Sequence, residues 1–184
     1  MKYIILDLEA TCWENKDHQP NEIIEIGAVC VNENKEIISE IDLFVKPIVH
    51  PILSDFCKQL TTITQDLVDN APTFPTALAT FQAWMHSFED DYWLCSWGFY
   101  DRIQFKNDCE LHKLDAGWFA QHISLKHQHG TMKKKIGGFG MKAALMQEKI
   151  HMTGTHHRGL DDAKNIAKIF VKYFDKWEYK ELSA

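Results

Sequence analysis

Carboxylate side chains at separated places in the sequence have the types and spacing needed to hold a divalent cation. Asp7 and Glu9 follow the apolar run YIIL at residues 3–6, which predicts a strand buried on both faces. Side chains alternate along a strand, so the two carboxylates point to the same side and repel each other unless a cation lies between them. A purely structural role as strand-end acids is the alternative for this pair.

A third carboxylate, Asp101, follows the aromatic stretch WGFY at residues 97–100, at the predicted junction of a strand and a helix. Loops at strand ends are where α/β proteins place their chemistry. Taken alone, Asp101 is better explained as an acid that the helix dipole favours at a helix N-terminus. Its interest comes from its combination with the other carboxylates.

The segment HHRGLDD at residues 156–162 opens the last predicted helix. The apolar stripe of that helix consists of Leu160, Ala163, Ile166, Ala167, Phe170 and Phe174. This stripe directs Asp162 inward, whereas Asp161 shares a predicted solvated face with Asn165. An inward carboxylate costs several kcal/mol unless it is paired or bound to a metal. His157 lies on the loop that enters the helix and can face the same cleft, although taken singly it would be an ordinary loop histidine.

The remaining pattern predicts the elements that bring these residues together. Strands are predicted over residues 1–7, 23–31, 36–45, 92–97 and 123–125, with a hairpin turn at 32–35. Helices are predicted over 72–88, 100–111, 139–149 and 159–177, with short helical segments within 54–69 and loops at 14–21 and 130–135. These elements indicate an α/β fold, with a mixed central sheet of about five strands flanked by helices.

Length and composition indicate a single domain over residues 1–184, with 45% apolar and 25% charged residues. The net charge of −6 argues against holding nucleic acid by bulk charge alone, although metal ions in an acidic cleft reverse the local sign. Five scattered cysteines without C-x-x-C spacing favour free thiols in a reduced, cytoplasmic protein. Neither a signal peptide nor a membrane span is expected.

The order D-x-E, aromatic-Asp and H-x-x-x-x-D resembles the DEDDh branch of the DnaQ-like 3′→5′ exonucleases, which have a ribonuclease H-like fold. The stretches DLEATC and HHRGLDDAKNIAKI resemble the subgroup that contains the eukaryotic 3′ histone-mRNA exonuclease and bacterial KapD-like proteins. These motifs lie at both ends and in the middle, so the resemblance covers nearly the whole chain. The chain departs from the pattern at Ser96, where many relatives carry Asn. This change concerns a supporting polar contact rather than the metal ligands.

The resemblance implies a metal-dependent 3′→5′ exonuclease that hydrolyses single-stranded RNA or DNA to nucleoside 5′-monophosphates. It implies two Mg²⁺ or Mn²⁺ ions, which suit oxygen ligands and clamp the reacting oxygens in a two-metal mechanism. The implied metal ligands are Asp7, Glu9, Asp101 and Asp162. His157 would complete the catalytic set as general base, because its ordinary pKa suits that role.

Substrate contacts are predicted at Ala10, Thr11, Trp13 and Tyr100. Relatives use the region of the first two to hold the terminal 3′ hydroxyl, and the two aromatic rings could stack the last bases. Packing within the protein is the alternative for both rings, and a solvated loop is the alternative to phosphate contact for the basic run 133–135. Single-stranded RNA is the favoured partner and DNA the alternative. No membrane partner is expected, and a protein partner for targeting stays open.

Two other functions compete with this interpretation. An endonuclease of the same fold is the first, but the H-x-x-x-x-D element argues against it because it supplies the base typical of the exonucleases. A non-catalytic nucleic-acid-binding regulatory module is the second, and it predicts metal binding without turnover. Since every position of the catalytic pattern is filled, catalysis is favoured.

Overall fold

A computed structural model of the chain describes residues 1–15 and 20–180. Its strands form a single mixed sheet in the order β3-β2-β1-β4-β5. The strands are β1 (Lys2–Ala10), β2 (Ile23–Val31), β3 (Ile37–Phe44), β4 (Tyr92–Ser96) and β5 (His122–Ser124). Strand β2 is antiparallel to both β1 and β3, whereas β1, β4 and β5 are parallel. The predicted α/β fold with a mixed five-stranded sheet is therefore confirmed.

Helices cover both faces of this sheet. Within the described ranges they are α1 (Asp55–Thr61), α2 (Gln65–Asp69), α3 (Phe74–His86), α4 (Tyr100–Leu111), α5 (Leu125–Met132), α6 (Met141–Gln147) and α7 (Gly159–Lys172). None of the helices found in these ranges is both long enough and apolar enough to cross a membrane.

Strand β1 divides its side chains between two hydrophobic cores. The core on the side of α3 and α4 receives Ile4, Leu6 and Leu8. The core on the side of α5, α6 and α7 receives Tyr3 and Ile5. Because side chains alternate along a strand, Asp7 and Glu9 continue the second set and face α7.

The start of α7 lies where two backbones nearly touch. Gly27 of β2 is opposite Asp7 in the strand register, and a Cβ at Gly27 would lie only 1.9 Å from the Leu160 nitrogen. A Cβ at Gly159 would lie 3.0 Å from the Asp7 carbonyl oxygen. Glycine lacks the atom that would prevent this approach. The contact seats the first turn of α7, which carries Asp162, against the strand residue Asp7.

The main difference from the predicted elements is α5, which sequence analysis divides between a short strand and a loop at 130–135. Its helical signal is weak because it contains Gly130, and glycine disfavours helices. A Cβ at Gly130 would lie 2.7 Å from both the Gly138 Cα and the Lys135 carbonyl oxygen. The loop that contains Lys135 and Gly138 packs so closely on the helix that a larger residue would not fit at position 130. The last helix also ends earlier than predicted, at Lys172, and the predicted loop at 14–21 lies partly outside the described residues.

Candidate active site

Three carboxylates from opposite ends of the sequence converge on one point. Oxygen atoms of Asp7, Glu9 and Asp162 all lie within 4.8 Å of one another. The first two come from the end of β1 and the third from the first turn of α7. Glu9 and Asp162 are buried, with exposed fractions of 8% and 3%. The fold thus creates a compact oxygen-lined cleft between a strand and a helix.

Asp101 lies beside this trio at the N-terminus of α4. Its Oδ1 accepts a hydrogen bond of 3.1 Å from the Leu8 backbone nitrogen, between the two strand acids. The group within 4.8 Å, as searched over the described residues, does not include Asp101. Its charge nevertheless adds to the burial that raises the pKa of Asp7. Asp101 therefore belongs to the same electrostatic site and lies at its edge.

The cleft contains more acidic side chains than nearby basic groups can neutralise. Burial, together with neighbouring acids, raises the pKa of Glu9 to about 9 and the pKa of Asp7 well above its usual range. Burial also raises the pKa of Asp101 to about 6. The buried Oδ1 of Asp162 has no hydrogen-bond partner among the residues that the structure describes. A cation would satisfy this oxygen and relieve the repulsion, so the residues fit a divalent metal with oxygen ligands.

Two stacked histidines form the rim of the cleft, with 3.9 Å between the ring centroids. His157 Nδ1 lies 4.0 Å from a Glu9 oxygen, and the His157 side chain is 40% exposed. Its φ of +64° is unusual for a residue other than glycine, and its backbone nitrogen donates to Asp162 at 3.0 Å. Burial lowers the pKa of His157, so the ring is neutral at neutral pH. His156 instead pairs with the Asp162 carboxylate, at 2.8 Å from Nδ1.

Glu25 and Arg158 support the site and were not predicted from the sequence. Glu25 is fully buried on β2 directly opposite Glu9, and it adds to the rise in the pKa of Glu9. Its carboxylate pairs with Arg158 Nη2 at 3.0 Å and accepts from the Gly159 nitrogen at 2.8 Å. This carboxylate thereby fixes the beginning of α7. The available signal was a single charge inside the otherwise apolar strand IIEIGAVCV.

Ser96 stands at the position where many relatives carry Asn, and it still supports Asp101. A hydrogen bond from its side chain opposes the rise in the pKa of Asp101. Ser96 Oγ also lies 2.9 Å from His122 Nε2, and both residues are fully buried. Burial lowers the pKa of His122 to about 3, so this imidazole is neutral. The Ser96 hydroxyl donates to the Gly98 carbonyl oxygen at 3.1 Å, so its hydrogen bonds connect the strand end before Asp101 to a buried histidine.

The predicted substrate contacts differ in exposure. Ala10 and Thr11 are buried, and the Thr11 hydroxyl accepts a backbone hydrogen bond of 2.9 Å. Trp13 packs edge-on against an imidazole ring, with 4.8 Å between centroids. Tyr100 is 52% exposed, so its ring is not part of the core. Lys133, from the basic run after α5, forms an ion pair of 2.7 Å with a buried glutamate.

Comparisons with known proteins give a family match for most of the chain. Residues 4–170 match the family model RNase_T, described as Exonuclease. The 3'-5' exoribonuclease 1 of Homo sapiens is 39% identical over 178 residues, which cover 91% of this chain and 51% of that relative. The chain thus spans about half the length of this relative.

Two solved structures resemble the whole described fold. The nuclease domain of 3'hExo, a DEDDh family member bound to rAMP, has a TM-score of 0.92 at 34% identity, covering 99% of this chain and 96% of that one. A 3'-exonuclease that recognises the histone mRNA stem-loop has a TM-score of 0.93 at 31% identity, covering 100% of this chain and 87% of that one.

Proposed function

The chain belongs to the exonuclease family described by the RNase_T model and has the ribonuclease H-like fold of DEDDh exonucleases. From this premise we propose that it removes nucleoside 5′-monophosphates from the 3′ end of single-stranded nucleic acid. The observation that carries the proposal is the convergence of Asp7, Glu9 and Asp162 within 4.8 Å, with a neutral histidine on their rim. RNA is the favoured substrate because the human relative is named an exoribonuclease and the 3'hExo nuclease domain binds rAMP. DNA is the alternative.

DEDDh exonucleases use divalent metal ions. We assign Asp7, Glu9, Asp101 and Asp162 as the ligands here, supported by the raised pKa values of the first three and the unpartnered oxygen of the fourth. When bound, two Mg²⁺ or Mn²⁺ ions would stabilise the attacking and leaving oxygens of an in-line displacement at phosphorus.

His157 is assigned as the general base. Its neutral, partly exposed ring can accept the proton of the water molecule that attacks the terminal phosphodiester. The bond from phosphorus to the 3′ oxygen of the preceding nucleotide then breaks, and the terminal nucleotide leaves as a 5′-monophosphate. His156 is assigned to orient Asp162, because its Nδ1 is already engaged with that carboxylate.

The substrate end is assigned to the rim beside the carboxylates. Tyr100, which is exposed next to Asp101, offers a face on which a terminal base can stack without selecting its identity. Ala10 and Thr11 are buried, so we assign their role to the backbone rather than to side chains. Trp13 is assigned as a second aromatic contact.

The test uses matched RNA and DNA oligonucleotides, single- and double-stranded, each with Mg²⁺ and with Mn²⁺. The expected result is stepwise shortening of 5′-labelled single-stranded RNA with release of nucleoside 5′-monophosphates. A blocked 3′ end should prevent the reaction. Continued cleavage of the blocked substrate would instead indicate an endonuclease. Binding of RNA and Mn²⁺ without release of mononucleotides would indicate a non-catalytic binding module.

A further inference from the structure

A groove with a volume of about 680 Å³ lies between helix α4 and the segment 116–120, which precedes β5. The buried rings of Phe105 and Phe119 line it, with 5.1 Å between their centroids, and the partly exposed rings of Phe99 and Trp118 line it as well. Pockets that hold small ligands have volumes of about 300–1,000 Å³, so this groove is large enough for a nucleotide.

The charged side chains along this groove are positive. Arg102 and Lys106 line it, and none of the described residues that line it is acidic. Arg102 forms no ion pair with any residue that the structure describes, and Lys106 pairs with Glu110 in an exposed contact of 3.8 Å. Two cations beside aromatic rings, in a protein of net charge −6, fit a ligand that is both aromatic and anionic.

The groove begins next to the carboxylate cleft. Its residues Phe99 and Arg102 lie on either side of the assigned ligand Asp101 at the start of α4. Successive helix residues are rotated by about 100°, so Asp101 accepts a hydrogen bond from Leu8 of β1 while Arg102 and Ile103 line the groove. Because adjacent Cα atoms are about 3.8 Å apart, a strand whose end lies at Asp101 is within reach of Arg102.

We propose that this groove binds the nucleotides that lie 5′ of the one removed, with a base against Phe99 and Trp118 and a phosphate on Arg102. The inference rests on the proposed function, because it takes the 3′ end of the strand to lie at the carboxylates. Stacking on aromatic rings tolerates every base, and a guanidinium group binds phosphate without reading the sequence. The groove therefore favours longer substrates and does not select their sequence.

The observations favour the substrate strand over other occupants of the groove. An acidic protein segment would satisfy the same cations, but only the charge of the groove favours it. A nucleic-acid strand matches the cations, the aromatic rings and the position beside Asp101 together.

Photo-crosslinking tests the contact without a nuclease assay. A single-stranded RNA octamer carries 4-thiouridine either at its 3′ end or a few nucleotides upstream, and it is irradiated with the full chain in the presence of Ca²⁺. Peptide mapping should place the crosslink of the upstream base at Phe99 or Trp118, and the crosslink of the terminal base elsewhere. Upstream crosslinks that all lie outside the groove would overturn the proposal.

Removing the unpaired cation should weaken the binding of long substrates. Fluorescence anisotropy should show that Arg102→Gln raises the Kd of the octamer about tenfold, through loss of one charge-assisted contact. The slope of log Kd against log salt should fall by about 0.7, the share of one phosphate of a single strand. Lys113→Gln, which removes an exposed charge just beyond α4 and outside the groove, is the control and should bind as the wild type does. Equal Kd values for Arg102→Gln and Lys113→Gln would contradict the proposal.

A negative charge placed in the groove is a second test. Ile103 is 56% exposed, so Ile103→Asp should fold, and it should raise the Kd of the octamer tenfold or more. Asn107→Asp adds the same charge to an exposed position of the same helix outside the groove, and should have little effect. Equal weakening by both variants would indicate general repulsion and overturn the proposal.

The outcomes separate this site from the proposed function. A chain that releases no mononucleotides but still crosslinks at Phe99 or Trp118 would refute the exonuclease and leave the groove demonstrated as a nucleic-acid site. A chain that degrades RNA without these crosslinks, and with an unchanged Kd in Arg102→Gln, would refute the groove alone.

Discussion

Glu9 and Glu148 are both buried glutamates, with exposed fractions of 8% and 6%, yet their surroundings are opposite. The carboxylate of Glu148 contacts His129 Nε2 at 3.0 Å and Lys133 Nζ, Lys172 Nζ and Tyr173 Oη at 2.7 Å each. Burial alone would raise the pKa of Glu148, but these partners hold it well below its usual range. Glu9 faces other carboxylates, and its pKa rises to about 9.

The difference separates a structural charge from a functional one. Glu148 follows α6 and is fully paired with residues at the end of α5 and on or just after α7, so it ties these elements together. Glu9 has neighbours of its own sign, so without a cation its carboxyl group holds a proton at neutral pH. We infer that the protein retains this acidic side chain because a bound cation stabilises its charged form during function.

The largest expected effect is the loss of activity in Asp7→Asn. Removing one ligand should lower the rate on the order of a thousandfold, about 4 kcal/mol of transition-state stabilisation. The same change relieves repulsion, so the urea midpoint of the metal-free protein should stay or rise. If Asp7→Asn instead had a lower urea midpoint and wild-type activity, Asp7 would have a structural role like that of Glu148.

Glu148→Gln should produce the opposite result. We expect the free energy of unfolding to fall by about 3 kcal/mol, because Lys133 and Lys172 lose their charged acceptor. The rate per folded molecule should be unchanged at a temperature where the variant remains folded. Urea denaturation and initial rates measure the two quantities. Lys106→Gln, which removes an exposed pair of 3.8 Å with Glu110, serves as control and should change stability by less than about 1 kcal/mol.

His157→Ala should lower turnover about a hundredfold while Mn²⁺ affinity is retained, since the assigned base is not an assigned ligand. Calorimetric titration with Mn²⁺ and single-turnover kinetics distinguish the two effects. His156→Ala is the matched variant, and it should weaken Mn²⁺ binding by releasing Asp162 from its orienting hydrogen bond. Unchanged turnover in His157→Ala would transfer the role of base to His156.

A last expected effect, which concerns the metal-free protein, is a pH dependence of stability that Glu9→Gln removes. The pKa of Glu9 is about 9 in the folded protein and ordinarily 4.5, so between these values the folded state holds the extra proton. Stability present below the unfolded value is therefore lost as the pH rises toward 9. Thermal melting with a chelator from pH 5 to 9 should show a decline in the wild type that exceeds the decline in Glu9→Gln by on the order of ten degrees. Equal declines would mean that Glu9 titrates normally.

The sequence predicts α7 well because its apolar stripe is a strong local signal, and Asp162 is 3% exposed on the inward side as expected. The same periodicity was wrong about Asn165, which was placed on the solvated face. Asn165 is fully buried, and its side chain bonds both the backbone nitrogen and the carbonyl oxygen of Thr153. Helical spacing identifies the face that meets the sheet, but it does not reveal a loop that covers another face.

Features that depend on register or on distant contacts could not be predicted in this way. Glu25 meets Glu9 only because of the pairing register between β1 and β2, and Arg158 compensates it from the far end of the chain. The packing of Cys12 on the buried cluster that contains Cys57 likewise depends on how α1 packs beside β1. Local patterns in the sequence do not contain these distances.

The close approach of Gly27 and Gly159 has a consequence for how the cleft opens to an ion. The span between Asp7 and Asp162 is set by main-chain atoms in contact, and main-chain contacts have no alternative rotamers. The distance between the two backbones is therefore fixed before an ion arrives. Binding an ion requires at most rotation of the carboxylate groups, and α7, which carries Asp162, can stay in place.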